Sequence, residues 1–201
     1  MKLFLATSNP GKLNEYRALA AASSIEIEVI PNLVALPPFD ESAPTFAENS
    51  AGKAQHYSRF VQGTVVADDS GLVVPALGGA PGVYSARFAG PNASDADRVN
   101  KLLREMSGKK GDERRAQFVC VAAIARQGRV IAVVSDLARG VLTTEPRGAS
   151  GFGYDPVFYF EELGRTYSET TRDEKNRYSH RGRAFRKLLA FLSPAESIGV
   201  T

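Results

Sequence analysis

The sequence predicts one α/β or α+β domain. The hydrophobic period switches repeatedly between that of a strand and that of a helix along the 201 residues. A chain of this length suffices for one large or two-lobed domain, and no segment has the composition of an interdomain linker. We therefore expect one domain over residues 1–192 and a loose tail over residues 193–201.

The first half of the chain is expected to alternate strands and helices. A first helix should follow Ser8 or Asn9, which can cap it, because Pro10 suits the first helical turn. A second should start at Thr45, whose spacing to Glu48 fits the capping-box pattern S/T-x-x-E, and run to about residue 61. Strands are predicted at residues 2–7, 25–30, 64–67 and 72–74.

The second half contains a helix, a hairpin, a strand and a final helix. Ser94 is the expected cap of a helix that ends near residue 106. Gln127-Gly128 is the expected turn of the hairpin. The predicted hairpin strands cover residues 117–126 and 129–135, a further strand covers 156–160, and the final helix covers 181–192.

Composition and charge exclude several classes of protein. Hydrophobic residues make up 43% and charged residues 23%, which excludes a disordered or collagen-like chain. No apolar run approaches the roughly 20 residues that cross a bilayer, and the apolar N-terminal stretch is too short for a secretory signal, so we expect a cytoplasmic protein without a membrane partner. A net charge of +3 is too small to indicate a nucleic-acid partner. One cysteine, Cys120, rules out an internal disulfide and a cysteine-based metal site.

The segment Thr7-Ser8-Asn9-Pro10-Gly11-Lys12 is the first candidate for chemistry. It lies between a predicted strand and a predicted helix, where free N–H groups and the positive end of the helix dipole suit a phosphate. Lys12 opposes that dipole unless an anion is bound. A capped helix start with a surface lysine is the equally weighted alternative. The segment is not a Walker A loop.

The second candidate is Asp68-Asp69-Ser70-Gly71, predicted at the end of a short strand. Carboxylates there can ligate a hard cation or act as a general base, and adjacent strand residues point to opposite faces. We expect Asp69 to be the important carboxylate and Asp68→Asn to matter less. Glu41 is a further candidate ligand, ranked above Glu48 because Glu48 has a capping role. An ordinary Asp-Ser-Gly turn is the alternative and, from this segment alone, the favoured one.

The third candidate is Glu174-Lys175-Asn176 followed by Ser179-His180-Arg181-Gly182-Arg183, before the final helix. His180 and Arg181 offer directional donors for carbonyl or phosphate oxygens, and Phe152 or Tyr154 can pack on a base. A basic helix start with solvated charges is the alternative. Taken together, the three segments describe a nucleotide site better than a protease or a redox site.

Seven segments, in order and covering about residues 3 to 188, carry a resemblance to a known family. The most specific are ADDSGL (residues 67–72) and ALGGAPGVYSARFAG (residues 76–90). With ATSNPGK, TFAENSAGKA, FVCVAA, GFGYDPVF and EKNRYSHRGRA, they make the chain similar to the inosine triphosphate pyrophosphatase family. The resemblance implies an elongated two-lobed α/β fold around a long mixed β-sheet, a homodimer, and Mg²⁺-dependent hydrolysis of ITP, dITP and XTP to the monophosphate and pyrophosphate.

The resemblance also implies roles for individual residues. Asp69 would be the general base and a metal ligand, with Glu41 as a second ligand. The implied substrate-binding residues are Thr7, Ser8, Asn9, Pro10, Gly11, Lys12, Lys53, Ser70, Phe152, Gly153, Tyr154, Asp155, Lys175, His180 and Arg181. One departure from the family pattern is Ala43, where a glycine is usual. Two alternatives stay open: a pyrophosphatase for modified pyrimidine nucleotides, and a non-catalytic nucleotide- or RNA-binding module.

Overall fold

The computed structural model describes residues 1–192. Five helices and seven strands occur in this part of the chain, joined in places by short 3₁₀ turns. In order they are β1 (Lys2–Leu5), α1 (Pro10–Ala20), β2 (Glu26–Val29), α2 (Phe46–Tyr57), β3 (Thr64–Val73), α3 (Asp95–Glu105), β4 (Arg115–Arg126), β5 (Arg129–Leu142), β6 (Phe158–Phe160), β7 (Arg165–Thr166), α4 (Arg172–Tyr178) and α5 (His180–Leu192). The predicted tail, residues 193–201, lies outside the described residues.

The strands form one mixed sheet in the order β2-β1-β3-β4-β5-β6-β7. β1 is parallel to both of its neighbours, β2 and β3, and all other pairs are antiparallel. This confirms the predicted α/β class and its mixed sheet. No helix within residues 1–192 is long and apolar enough to cross a membrane.

The prediction for β3 was wrong. The sequence suggested two short strands separated by an Asp-Asp-Ser-Gly turn, but Thr64–Val73 is one continuous strand. It pairs with β4 from Val65 to Val73, and Asp68 lies opposite Ala122 and Asp69 opposite Val121. Two adjacent carboxylates are unusual inside a buried strand, so the pattern indicated a turn. Cationic and amide side chains that arrive from distant segments make the strand possible.

Three smaller differences separate the predicted elements from the observed ones. The short helix α4 was missed, although Thr171 and Glu174 form a capping box at its start. β5 runs to Leu142, seven residues beyond the predicted end at residue 135, because its partner β4 continues beside it. Arg114 lies in a charged segment for which the sequence predicted no element, yet it is buried and donates to the carbonyls of Leu142 and Thr143.

The apolar core is divided along the sheet. On one side of β1, β3 and β4, a cluster includes Tyr16 of α1 and Phe185 of α5. On the other side, Ala54 of α2 packs on Ala67. A third cluster, at the far end of the sheet, joins α3 to β6 and includes Phe158. The site described below lies where these clusters meet.

Gly71 of β3 provides a test of this packing. A Cβ atom there would lie 2.4 Å from the carbonyl oxygen of Gly82 and 2.4 Å from Ser85 Oγ. Gly71→Ala therefore forces β3 away from the backbone at Gly82, and we expect the free energy of unfolding to fall by about 1–3 kcal/mol. Urea denaturation measures this value, and an unchanged midpoint would contradict the close approach.

Candidate active site

Most of the predicted site residues open into one cleft. Its walls come from the start of α1, the middle of β3, the loop before β6, and the end of α4 with the start of α5. The predicted residues that line it are Asn9, Lys12, Glu41, Asp69, Ser70, Phe152, Gly153, Tyr154, Asp155, Lys175, His180 and Arg181.

Five predicted residues lie elsewhere. Lys53 is buried beside the cleft, where its Nζ is 2.7 Å from Glu41 Oε1. Thr7, Ser8 and Pro10 line a separate groove beside Val34. Gly11 lines a second cavity, which Phe152 also lines. Asn9 and Lys12 are therefore the residues of the first segment that face the cleft.

The Asp68 carboxylate is buried below the cleft, with 1% of the residue exposed. Lys12 Nζ lies 3.1 Å and Arg181 Nη2 3.3 Å from Asp68 Oδ2. Lys53 Nζ donates to the Asp68 carbonyl oxygen at 2.9 Å. Burial alone would raise the pKa of Asp68, but the charges of Lys12, Arg181 and Lys53 outweigh it and hold that pKa well below its usual range.

Ion pairs extend from Arg181 toward the base of the Phe152 loop. Arg181, 2% exposed, also pairs with Glu15 of α1 and donates to Ser70 Oγ at 2.7 Å. Glu15 lies 2.7 Å from Lys175 Nζ, which in turn pairs with Asp155. Six buried or nearly buried charges thus alternate in sign; in order they are Lys12, Asp68, Arg181, Glu15, Lys175 and Asp155.

Asp69 points to the opposite face of β3. Asn49 of α2 donates to Asp69 Oδ2 at 2.9 Å, and the same amide group bonds to the backbone N–H and carbonyl of Ala43. Burial raises the pKa of Asp69, the Asn49 hydrogen bond and Lys12 oppose the rise, and the charge of Glu41 adds to it. Asn49 therefore connects Asp69, through the backbone of Ala43, to the loop that carries Glu41.

His180 is buried against an aromatic ring. Its imidazole stacks on Phe118 with ring centroids 4.7 Å apart and an interplanar angle of 7°. Its Nδ1 is buried and has no hydrogen-bond partner in the described part of the chain. Burial, together with the neighbouring charges of Arg181 and Lys175, lowers the pKa of His180 well below its usual value, so the ring is neutral.

Sequence reasoning missed Glu15 and Asn49 and did not identify the cations that pair with Asp68. Asn49 is one helical turn from Lys53, so both lie on the inward face of α2, and this spacing was a usable signal. Glu15 is three residues from Lys12 and adjacent to the core residue Tyr16, which places it near the buried side of α1. The pairing of Asp68 with Arg181 joins residues 113 positions apart, and no local pattern indicates it.

The fold and the cleft define an α/β protein with one site in which cations, carboxylates and an aromatic ring lie together. Comparison with known proteins gives the family. The model of the Ham1 family matches residues 3–191, and the chain belongs to that family. A dITP/XTP pyrophosphatase of Geobacillus kaustophilus is 46% identical over 93% of this chain and 92% of its own.

Solved structures agree with this assignment. A HAM1 protein from Coxiella burnetii has a TM-score of 0.84 and 37% identity over 96% of this chain and 98% of its own. The Staphylococcus aureus Ham1 protein has a TM-score of 0.83 and 36% identity over the same shares. The seven-stranded mixed sheet is therefore the fold of this family.

The burial of Asp68 yields a prediction about stability, separate from the smaller effect on activity expected from the sequence. In Asp68→Asn, Lys12 and Arg181 keep their charges but lose the carboxylate between them. We therefore expect the free energy of unfolding to fall by about 3 kcal/mol or more. Asp69→Asn should change stability by less than about 1 kcal/mol, because burial already disfavours the charged form. Urea denaturation of both variants measures this, and equal losses would contradict the account.

His180 yields a pH dependence. Its folded pKa lies below the unfolded value of about 6.5, so its contribution to stability is present above that pH and is lost as pH falls toward the folded pKa. Between pH 7.5 and 5.5 the wild type should lose about 1 kcal/mol more than His180→Asn. Urea denaturation at both pH values tests this, and parallel losses would show that His180 titrates normally.

Proposed function

We propose that the chain hydrolyses the non-standard purine nucleotides ITP, dITP and XTP to the monophosphate and pyrophosphate. The observation that carries the proposal is that one cleft joins a carboxylate of raised pKa, Asp69, to a lysine, Lys12, and an aromatic ring, Phe152. The G. kaustophilus relative is named for activity on dITP and XTP, which supports this substrate class.

Asp69 is the proposed general base. Water must lose a proton as it attacks the α-phosphorus, and a carboxylate whose pKa is raised by burial is a better proton acceptor near neutral pH. Asn49 donates to Asp69 Oδ2 and the Ser70 N–H donates to Oδ1, so the carboxylate is held in one orientation at the cleft. Lys12 and Lys53 are proposed to stabilise charge on the phosphoryl oxygens.

Glu41 and Asp69 are proposed to hold Mg²⁺. Both line the cleft, and the charge of Glu41 contributes to the raised pKa of Asp69, so a cation between them is favoured. Among residues 1–192 no group of three His, Cys, Asp or Glu side chains could hold a metal ion, but Mg²⁺ is commonly bound by one or two carboxylates with substrate phosphates. The ion would neutralise negative charge on the phosphate chain.

Base selection is proposed at the other end of the cleft. The 6-oxo group of hypoxanthine or xanthine accepts a hydrogen bond, whereas the 6-amino group of adenine presents a donor. Arg181 already donates to Asp68, Glu15 and Ser70, so we assign the 6-oxygen contact first to His180. A neutral imidazole has one N–H, and we place it on Nε2, because an N–H on the buried Nδ1 would have no acceptor. Lys175, Gly153, Tyr154 and Asp155 complete this end.

The proposal extends to the location and the oligomeric state of the protein. We propose a cytoplasmic homodimer without a nucleic-acid partner. The first part of β5 supports the dimer: among the described residues this strand pairs with β6 only at Val141 and Leu142, and it exposes Val130, Ile131 and Val133. Light scattering coupled to size exclusion tests it, with about twice the 21.6 kDa chain mass expected.

The substrate class is tested by pyrophosphate release from ITP, dITP, XTP, GTP, ATP and dUTP with Mg²⁺. We expect the 6-oxo nucleotides ITP, dITP and XTP to exceed ATP by at least about tenfold in kcat/KM, since a donor facing a donor costs roughly 1–3 kcal/mol. Preferred turnover of a modified pyrimidine nucleotide would favour that alternative. No turnover of any nucleotide would favour a binding module.

Replacing Asp69 tests the proposed base. Asp69→Asn should keep the fold and lower kcat for ITP by roughly 10²-fold or more, as expected when a general base or metal ligand is lost. Asp112→Asn, whose side chain is 87% exposed, is the matched control and should be unaffected. Near-wild-type turnover by folded Asp69→Asn would remove Asp69 from the mechanism.

A further inference from the structure

Gly11 occupies the second position of α1, where nothing in the backbone requires glycine. Its φ is not in the left-handed region, unlike that of Gly151 or Gly153. Its N–H lies in the first helical turn, where every residue type offers the same group. Alanine favours a helix more than glycine does, so this position needs another explanation.

The explanation is the ring of Phe152. A Cβ atom on Gly11 would lie 2.7 Å from Phe152 Cδ1, 2.9 Å from Cε1 and 3.0 Å from Cγ. The ring therefore lies close against the Cα of Gly11, and Phe152 lines both the cleft and the second cavity. Lys175 Nζ is 4.7 Å from the centroid of the same ring.

The loop that carries Phe152 cannot easily retreat. The Phe152 N–H donates to Asp155 Oδ2 at 2.9 Å, and the Gly153 N–H donates to Asp95 Oδ2 of α3 at 2.7 Å. The Tyr154 hydroxyl donates to the carbonyl of Ser85 at 3.0 Å. A methyl group at position 11 would therefore displace the Phe152 side chain, because its backbone is held on both sides.

We propose that Gly11 is a positioning residue for Phe152: the missing Cβ sets where the aromatic ring lies relative to Lys12. This inference rests on the proposed function, in which Phe152 packs against the purine. It assigns Gly11 to the recognition of the base, although the motif in which it occurs suggests phosphate binding. A larger residue at position 11 should then weaken the binding of a ligand that carries a base more than the binding of a ligand without one.

A double-mutant cycle with two ligands tests the assignment. Gly11→Ala, Phe152→Ala and the double variant are compared for KM and kcat with ITP and for competitive inhibition by inorganic triphosphate, which has no base. We expect Gly11→Ala to raise KM for ITP roughly tenfold and to change triphosphate inhibition less than about twofold. With Phe152 already replaced, Gly11→Ala should change KM for ITP by less than about twofold.

The opposite pattern would overturn the inference. Triphosphate inhibition weakened as much as ITP binding would make Gly11 a phosphate residue. If the double variant changed KM by the product of the two single changes, the glycine and the ring would act independently. Arg17→Ala, on the exposed side of the same helix, is the control and should leave both ligands unaffected.

Thermal unfolding gives a readout that does not need turnover. Gly11→Ala should lower Tm by about 2–4 °C in the wild type, because of the contact with Phe152. In the Phe152→Ala background it should not lower Tm, since the contact is gone and only the better helix propensity remains. If the wild type failed to hydrolyse ITP, the proposed function would be wrong, but the Tm values would still test the contact between Gly11 and Phe152. Equal Tm changes in both backgrounds would show that Gly11 does not position Phe152.

Discussion

The buried charge of Asp68 is the constraint on which the rest of the site depends. An ionised carboxylate inside a β-sheet is tolerated only if cations reach it, and Lys12 and Arg181 come from opposite ends of the chain to do so. Lys53 adds a third cation at the carbonyl of the same residue. The start of α1, the inward face of α2 and the start of α5 are therefore held around one point of β3.

The alternating charges extend this constraint across the cleft. From Asp68 the pairs continue through Arg181, Glu15 and Lys175 to Asp155, whose carboxylate fixes the backbone of Phe152. The end proposed to bind phosphates and the end proposed to bind the base are thus connected by ion pairs. A buried pair gives little net stability, but removal of one partner is costly, so such a chain specifies geometry more than it adds free energy.

The sequence predicted the class of fold and most of the cleft, because these depend on local patterns. Helix caps at Asn9 and Thr45 and the Gln127-Gly128 turn are local, and the structure contains all three. The continuous strand through Asp68 and Asp69 was not predictable, since its stability comes from side chains far away in the sequence. The role of Arg181 was assigned from its position before a helix, whereas its actual partners, Glu15 and Asp68, appear only when α1, β3 and α5 pack together.

The central claim is that these charges act as one unit, and the coupling between the two carboxylates that share Arg181 tests it most directly. Urea denaturation of Asp68→Asn, Glu15→Gln and the double variant gives the coupling free energy. Arg181 is 2% exposed and keeps one counter-charge in each single variant but none in the double variant. We expect the double variant to lose about 1 kcal/mol or more beyond the sum of the single losses. Losses that add within about 0.5 kcal/mol would contradict the account.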